Sequence, residues 1–392
     1  MTIDRRTRPP KLWVAAGLCA AIGVLALSLN GGLAGAIESR LAGSAQLDYL
    51  AVPTQRHPRD VTLDGFTTEL SLKLAVDVTK RINASIKVCS SCHGLETGVA
   101  AVDIALSDAI TLRAGRFTPS FGDFPDRHDP ANHRTSDKPL PYDMGRMLRM
   151  REWNMSVLPA PFVDNGVQVL GHHSISDALE LDWAAYLVSG LRASSGASDI
   201  DFMQSRSGER YYVDNNSQPT VGGRASMIML GDRTSLKLGV SAMVGTGDPE
   251  RKLDYLLLGV DVVAKLGNLT VRAEYLLRRQ RMGFGPSPAT EYVYGPGSTG
   301  GWDPYFLKDG FYVVAQWPVG NFDLLARFDG MGRVGNVPVG SALKASSTIV
   351  RSTLAASWRM DKRLRWKASA EWYQYSDFAD DVALHLGVVT AF

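Results

Sequence analysis

The sequence predicts an all-β chain: a transmembrane antiparallel β-barrel of about sixteen strands, interrupted by one long inserted loop. Three observations predict it. Segments of about nine to twelve residues alternate apolar and polar side chains with a period of two. The connections between them alternate between tight turns and longer stretches. Beyond residue 36, no segment is apolar enough for a membrane-spanning helix.

The N-terminus comes first. Arg5, Arg6, Arg8 and Lys11 form a basic head before an apolar run from Leu12 to Leu29. The run gives way to Gly31, Gly32, Leu33, Ala34, Gly35 and Ala36, an ending with the form of a secretory cleavage site. Residues 1–36 therefore read as a signal peptide and 37–392 as the barrel. A membrane anchor is the alternative use of the same run. Cleavage removes Cys19 and leaves Cys89 and Cys92 in a compartment that permits disulfides. With 42 Lys and Arg against 40 Asp and Glu, and no basic run after the N-terminus, no nucleic-acid partner is expected.

The strands follow. Leu236, Leu238, Val240, Ala242 and Val244 alternate with Lys237, Gly239, Ser241 and Met243. Leu269, Val271, Ala273, Tyr275 and Leu277 alternate with Thr270, Arg272, Glu274 and Arg278. Phe322, Leu324, Ala326 and Phe328 alternate with Asn321, Asp323 and Arg327, and Trp366 and Trp372 share a face opposite Arg365, Lys367 and Glu371. A secreted sandwich would turn the charged face to bulk water, whereas a barrel turns it to a wet lumen and meets lipid with the apolar face. Strand length, the export signal and the charged inner faces select the barrel.

Tight polar turns fall near 79–80, 107–108, 176–177, 231–233, 267–268, 320–321 and 361–362. Longer connections are expected at 53–65, 89–98, 117–163, 190–220, 246–253, 281–309 and 331–347. In membrane barrels the short side is periplasmic and the long side extracellular.

Leu384, Leu386, Val388, Thr390 and Phe392 lie on one face of a last strand that stops at an aromatic residue. This resembles the terminal signature of bacterial outer-membrane barrels. It implies the outer membrane of a Gram-negative bacterium, with its lipid and the barrel assembly machinery as partners. Residues 101–122, AVDIALSDAITLRAGRFTPSFG, carry a second resemblance. A strand, a short turn and L-R-x-G-R-F-x-P-x-F-G look like a hairpin of the porin O/P-type, phosphate-selective-like barrels. That resemblance spans 22 residues and concerns architecture rather than solute. It implies sixteen strands and a following loop that enters and narrows the pore, here 117–163. An oligomer is possible.

Segment 117–163 is long for a hairpin connection, and such loops are usually functional or disordered. Phe121, Phe124, Tyr142, Trp153 and Phe162 give it the means to pack. It also concentrates His128, His133, Met144, Met147, Met150 and Met155, with Met144, Met147 and Met150 spaced to line one side of a short helix. Methionines packed on the barrel wall are the plain reading.

Val88 to Gly94, VCSSCHG, contains C-x-x-C-H. Covalent haem needs two thiols for the vinyl groups and an adjacent His for the iron. Cys89, Cys92 and His93 match the attachment motif of c-type cytochromes; that resemblance implies haem c with His93 as proximal iron ligand. Candidate distal ligands are His128, His133, Met144 and Met147. The flanks depart from the pattern, since Ile82–Val88 and Val99–Leu106 read as strands rather than helices. Two other readings stay open: a Cys89–Cys92 disulfide, and a metal such as zinc held with His93 and a loop histidine. Cys89 continues the lumen-facing parity of Asn83, Ser85 and Lys87.

No Gly-rich phosphate loop or nucleophile elbow occurs, and His172 and His173 read as surface or interface histidines. Lumen-facing Arg272, Arg278, Arg327, Arg365 and Lys367 are partly balanced by Glu180, Asp182, Glu274 and Glu371, a mixed pore with a mild anion preference. The expected function is a porin-like barrel bearing one haem, transferring electrons with a periplasmic or extracellular redox partner. The alternative is a passive-diffusion porin. Either is an electron carrier or a channel rather than a catalyst.

Overall fold

The structure, a computed structural model, describes residues 38–54, 64–91, 94–143, 145, 147–148, 156–192, 214, 216–283, 295, 297, 300–337 and 342–392. The signal-peptide reading of 1–36 lies outside them.

Sixteen strands form. The first eight are β1 (Glu38–Ala51), β2 (Gly65–Thr79), β3 (Ile82–Ser91), β4 (Gly94–Ala105), β5 (Ile110–Phe117), β6 (Asp164–Ser176), β7 (Leu179–Val188) and β8 (Thr220–Leu230). The rest are β9 (Thr234–Thr246), β10 (Asp254–Leu266), β11 (Leu269–Arg281), β12 (Tyr305–Val319), β13 (Phe322–Val334), β14 (Ser346–Arg359), β15 (Leu364–Tyr375) and β16 (Asp381–Ala391). Each pairs antiparallel with its sequence neighbours, and β16 returns to β1 from Ser44↔Ala391 to Ala51↔Leu384. The sheet is a closed barrel with every strand edge paired, which a lipid environment requires.

The alternation sorts side chains as the sequence predicts. Leu324, Phe328, Leu354, Trp372, Leu384 and Leu386 are exposed on the outer wall. Their neighbours Arg327, Thr353, Glu371 and His385 are buried in the lumen. Charges at a lumen face are buried only if something fills the lumen, and the described residues of 118–163 do so. Short 3-10 turns at Pro125–Arg127, Pro130–Asn132 and Leu140–Tyr142 each begin with or near a proline, whose fixed φ suits the first turn. Phe121, Phe124, Leu140 and Tyr142 form one apolar cluster with the lumen-facing Leu276, Tyr312 and Leu325. Phe124 stacks on Tyr142 with ring centroids 5.2 Å apart. Burying each such ring is worth roughly 1.5–3 kcal/mol, and the core lies inside the barrel, with the loop supplying 10 of its 32 buried residues.

Two connections differ from the sequence reading. The expected 89–98 connection is mostly strand: Cys89 pairs with Glu96 and Ser91 with Gly94, with a register shift at Lys87/Val88. The connection 376–380, between β15 and β16, went unrecognised.

Candidate functional site: the lumen and its inserted loop

Four of the loop's fastenings stand out. Glu274 on β11 accepts from Tyr142 Oη (2.5 Å), the Phe124 amide (2.8 Å), the Asp123 amide (3.2 Å) and, in a short contact, Tyr312 Oη. Gly122 lies here at φ +66°, and a Cβ would come within 2.3 Å of Tyr142 Oη. Only glycine combines that backbone with that approach.

The second fastening is a charge network on β13–β15. The Arg351 guanidinium donates to Asp329 (3.0 and 2.6 Å), Glu371 (3.1 Å) and the Lys138 carbonyl (2.5 Å), while Asp329 accepts from the Leu140 amide (3.0 Å). Third, Lys367 Nζ donates to the carbonyls of Pro130 (2.5 Å) and Thr135 (3.2 Å). Fourth, Asp48 on β1 accepts from Ser136 Oγ (2.6 Å) and pairs with His385 Nδ1 (2.8 Å). Each buried charge thus has a counter-charge or hydrogen-bond partner, without which burial would cost several kcal/mol.

Two spaces flank the loop. One, of about 320 Å³, lies against β5–β9 and is lined by Ser120 and Asp126 of the loop and by Thr111, His172, Arg224 and Lys237 of the wall. Arg224 is held by two contacts to Asp261, whereas Lys237 has no ion pair among the described residues. The other, of about 170 Å³, lies against β1–β4, with Cys89, His128, Met147, Asp143 and Glu69 in its lining.

The structure places the expected site residues as follows. Cys89 is a partly buried cysteine in β3 with no disulfide partner among the described residues, on the lumen side, facing the second cavity. His128 faces it too. Its Nδ1 hydrogen-bonds the Pro125 carbonyl (2.6 Å) and its Nε2 lies 3.2 Å from Lys87 Nζ, so both ring nitrogens are engaged. Burial and the Lys87 charge hold this imidazole far below its ordinary pKa, hence neutral. Met147 joins the same cavity. His133 is buried beside Phe124 with neither ring nitrogen hydrogen-bonded, and burial pushes its pKa well down. Cys92, His93, Met144, Met150 and Met155 lie outside the described residues. His172 faces the β5–β9 space and pairs with Asp182 at 2.7 Å.

No protein-family model matches the chain, and no curated protein matches it in sequence. Solved structures do match. The anion-selective porin from Comamonas acidovorans is 11% identical, over 91% of this chain and 100% of that one, with a TM-score of 0.55. OmpF of Salmonella typhi in complex with daunomycin is 11% identical, over 91% and 98%, with a TM-score of 0.55. In-vitro folded OmpT of Vibrio cholerae, in a trimer form, is 9% identical, over 91% and 100%, with a TM-score of 0.51. The fold is that of the outer-membrane porins. At these identities the likeness concerns fold. The apolar outer belt, polar lumen and closed sheet agree with it, and the chain is an outer-membrane barrel in contact with lipid.

The sequence reading found Glu274, Glu371, Arg327 and Lys367 as lumen residues but not their loop partners. It missed Asp48, Asp329, Arg351, Tyr312 and His385 altogether. Their signal was parity: each is a polar residue one step from the apolar face.

Proposed function

We propose that this barrel is a passive-diffusion porin for small polar solutes, with residues 118–143 as its constriction. The observation that carries the reading is the polar space beside the loop, where Asp126 faces a wall bearing Arg224 and Lys237. Small hydrated solutes can exchange water for such groups without a large desolvation cost. The trimer form of OmpT makes an oligomer the expected assembly. Planar-bilayer recording tests the reading: stepwise, ohmic conductance is expected, and a correctly folded barrel that does not conduct overturns it.

A second reading has one observation behind it. Cys89, His128 and Met147 line a single cavity, as haem c on Cys89 and Cys92 with His93 as iron ligand would favour. The bound group would supply one-electron redox chemistry, and this chain's part would be to tether and enclose it. The space counts against it: about 170 Å³ is below the roughly 300–1,000 Å³ of ordinary ligand pockets, and His128 already uses both ring nitrogens. A porphyrin there would require segment 128–147 to withdraw. Intact mass after co-expression with a haem-maturation system separates the readings: added haem supports the second, and its absence removes it.

A further inference from the structure

We infer that the lumen cavity against β1–β4 is a binding site for a small organic cation, an ammonium or amidinium group on a benzene-sized apolar body. The inference adds a ligand class to the porin reading and rests on it only for the ligand's route to the site.

The size is right. The cavity measures about 170 Å³, and an engineered apolar cavity of about 150 Å³ is known to hold benzene. The lining is of two kinds. Leu50, Met147, Ala160 and Pro161 supply apolar wall, while Asp48, Glu69, Glu96, Asp129, Asp137 and Asp143 supply carboxylates. The one lysine in the lining, Lys138, donates to the Ala160 carbonyl at 2.7 Å.

Several of these carboxylates are already matched: Asp48 by His385, Asp129 by Lys87 and Asp137 by His385. Three have capacity left. Glu69 and Glu96 make no hydrogen bond or ion pair among the described residues. They flank the site where Cys89 pairs with Ser71 on β2 and Glu96 on β4. Asp143 is 4% exposed, and its Oδ1 accepts from the Gly145 amide (2.8 Å). Its Oδ2 has no hydrogen bond, with the Arg351 guanidinium no nearer than 3.7 Å. A buried carboxylate oxygen without a donor is destabilising, and a ligand N–H would satisfy it.

Chemistry narrows the class. An anion would face uncompensated like charge, and a neutral apolar molecule would leave the carboxylates unanswered. A bare metal ion has a poorer claim. Asp137, Glu371 and His385 form the one group of three metal-type ligands within 4.8 Å among the described residues. The Arg351 guanidinium already sits there, 3.1 Å from Glu371 and 3.7 Å from Asp137. A cation with several N–H donors and an apolar body satisfies both walls.

The test is equilibrium binding to the folded full-length barrel in detergent, by calorimetry and ligand-observed NMR, with benzamidine as probe and benzyl alcohol and benzoate as controls. Saturable one-to-one binding of benzamidine is expected, at least about tenfold tighter than either control. A Glu69→Gln, Glu96→Gln double variant should weaken it about tenfold, with folding checked by heat-modifiable gel mobility. Absence of saturable binding, equal binding of benzyl alcohol, or a folded double variant with unchanged affinity overturns the inference. The wild-type comparison stands without any variant. A non-conducting barrel that still binds benzamidine would remove the porin reading and leave this one standing.

Discussion

Among single residues, Glu274 has the largest share in fixing the loop, because four donors converge on its two oxygens. Hydrogen bonds to a charged acceptor contribute roughly 1.5–3 kcal/mol each. Glu274→Gln keeps one oxygen and turns an NH₂ toward one tyrosine hydroxyl and one backbone amide, which cannot reverse its polarity. Loop docking should weaken by about 2–3 kcal/mol, read as faster protease cleavage within 118–163 while the strands stay resistant; unchanged cleavage would refute it. The two loop histidines give a pH prediction. His128, facing Lys87, Asp129 and Lys138, and His133, facing Lys367, Lys138, Arg327 and Arg127, are both held neutral by burial. A released loop would protonate them near the ordinary 6.5, so the docked state binds fewer protons. Docking is full above that pH and weakens as pH falls below it. Asp143 opposes this, since burial raises its carboxyl to about 7 and favours the docked form on acidification. Asp126, whose carboxyl burial also raises, acts in the same sense as Asp143, so the histidine contribution is read by difference. Between pH 7 and pH 5, cleavage should rise more in the wild type than in a His128→Gln, His133→Phe variant. An equal acid response in both proteins would sink the argument.

At the scale of elements, closure depends on the meeting of β1 with the chain end. The Gly43 amide donates to the Phe392 carbonyl (2.8 Å), and the Phe392 amide donates to the Gly43 carbonyl (3.0 Å). A Cβ on Gly43 would lie 2.6 Å from the Phe392 ring and from the Ser71 carbonyl. Gly43→Val should therefore lower the yield of heat-modifiable, folded barrel several-fold, a loss that an unaltered yield would contradict. The strands themselves were legible because lipid outside and charge inside impose period two, as in Leu324, Ala326 and Phe328 against Asp323 and Arg327. The β3–β4 hairpin was misread because Ser90, Ser91 and Gly94 are weak strand formers and a bulge breaks the alternation there. The loop's fastenings were not legible at all. Asp123 and Glu274 are 151 positions apart, and nothing local marks one as the other's partner. The haem-like motif was legible as residue types, yet only the fold reveals that Cys89, His128 and Met147 share a cavity.

Across the whole molecule, charge is divided over the lumen. The β1–β4 side is acidic around Glu69 and Glu96, whereas the β5–β9 side mixes Lys237 and the Asp261-paired Arg224 with Asp108, Asp126 and Asp182. Toward the ends of β13–β15, Arg134, Arg359 and Arg365 all approach the single carboxylate of Asp323, at 3.0, 3.8 and 3.5 Å. On the porin reading, a solute passing beside Asp126 would pass Lys237 in the same space. Lys237 is the residue to alter, because its amine makes no hydrogen bond or ion pair among the described residues. Lys237→Glu exchanges a positive wall charge for a negative one next to the constriction. The reversal potential in a KCl gradient should move toward cation preference, by a several-fold change in permeability ratio at low salt. Since the screening length falls from about 10 Å at 0.1 M to about 3 Å at 1 M, the shift should shrink strongly in concentrated KCl. A reversal potential unchanged at 0.1 M would mean that the permeating path does not run along β9; a shift that persists at 1 M would mean that ions pass within contact distance of residue 237.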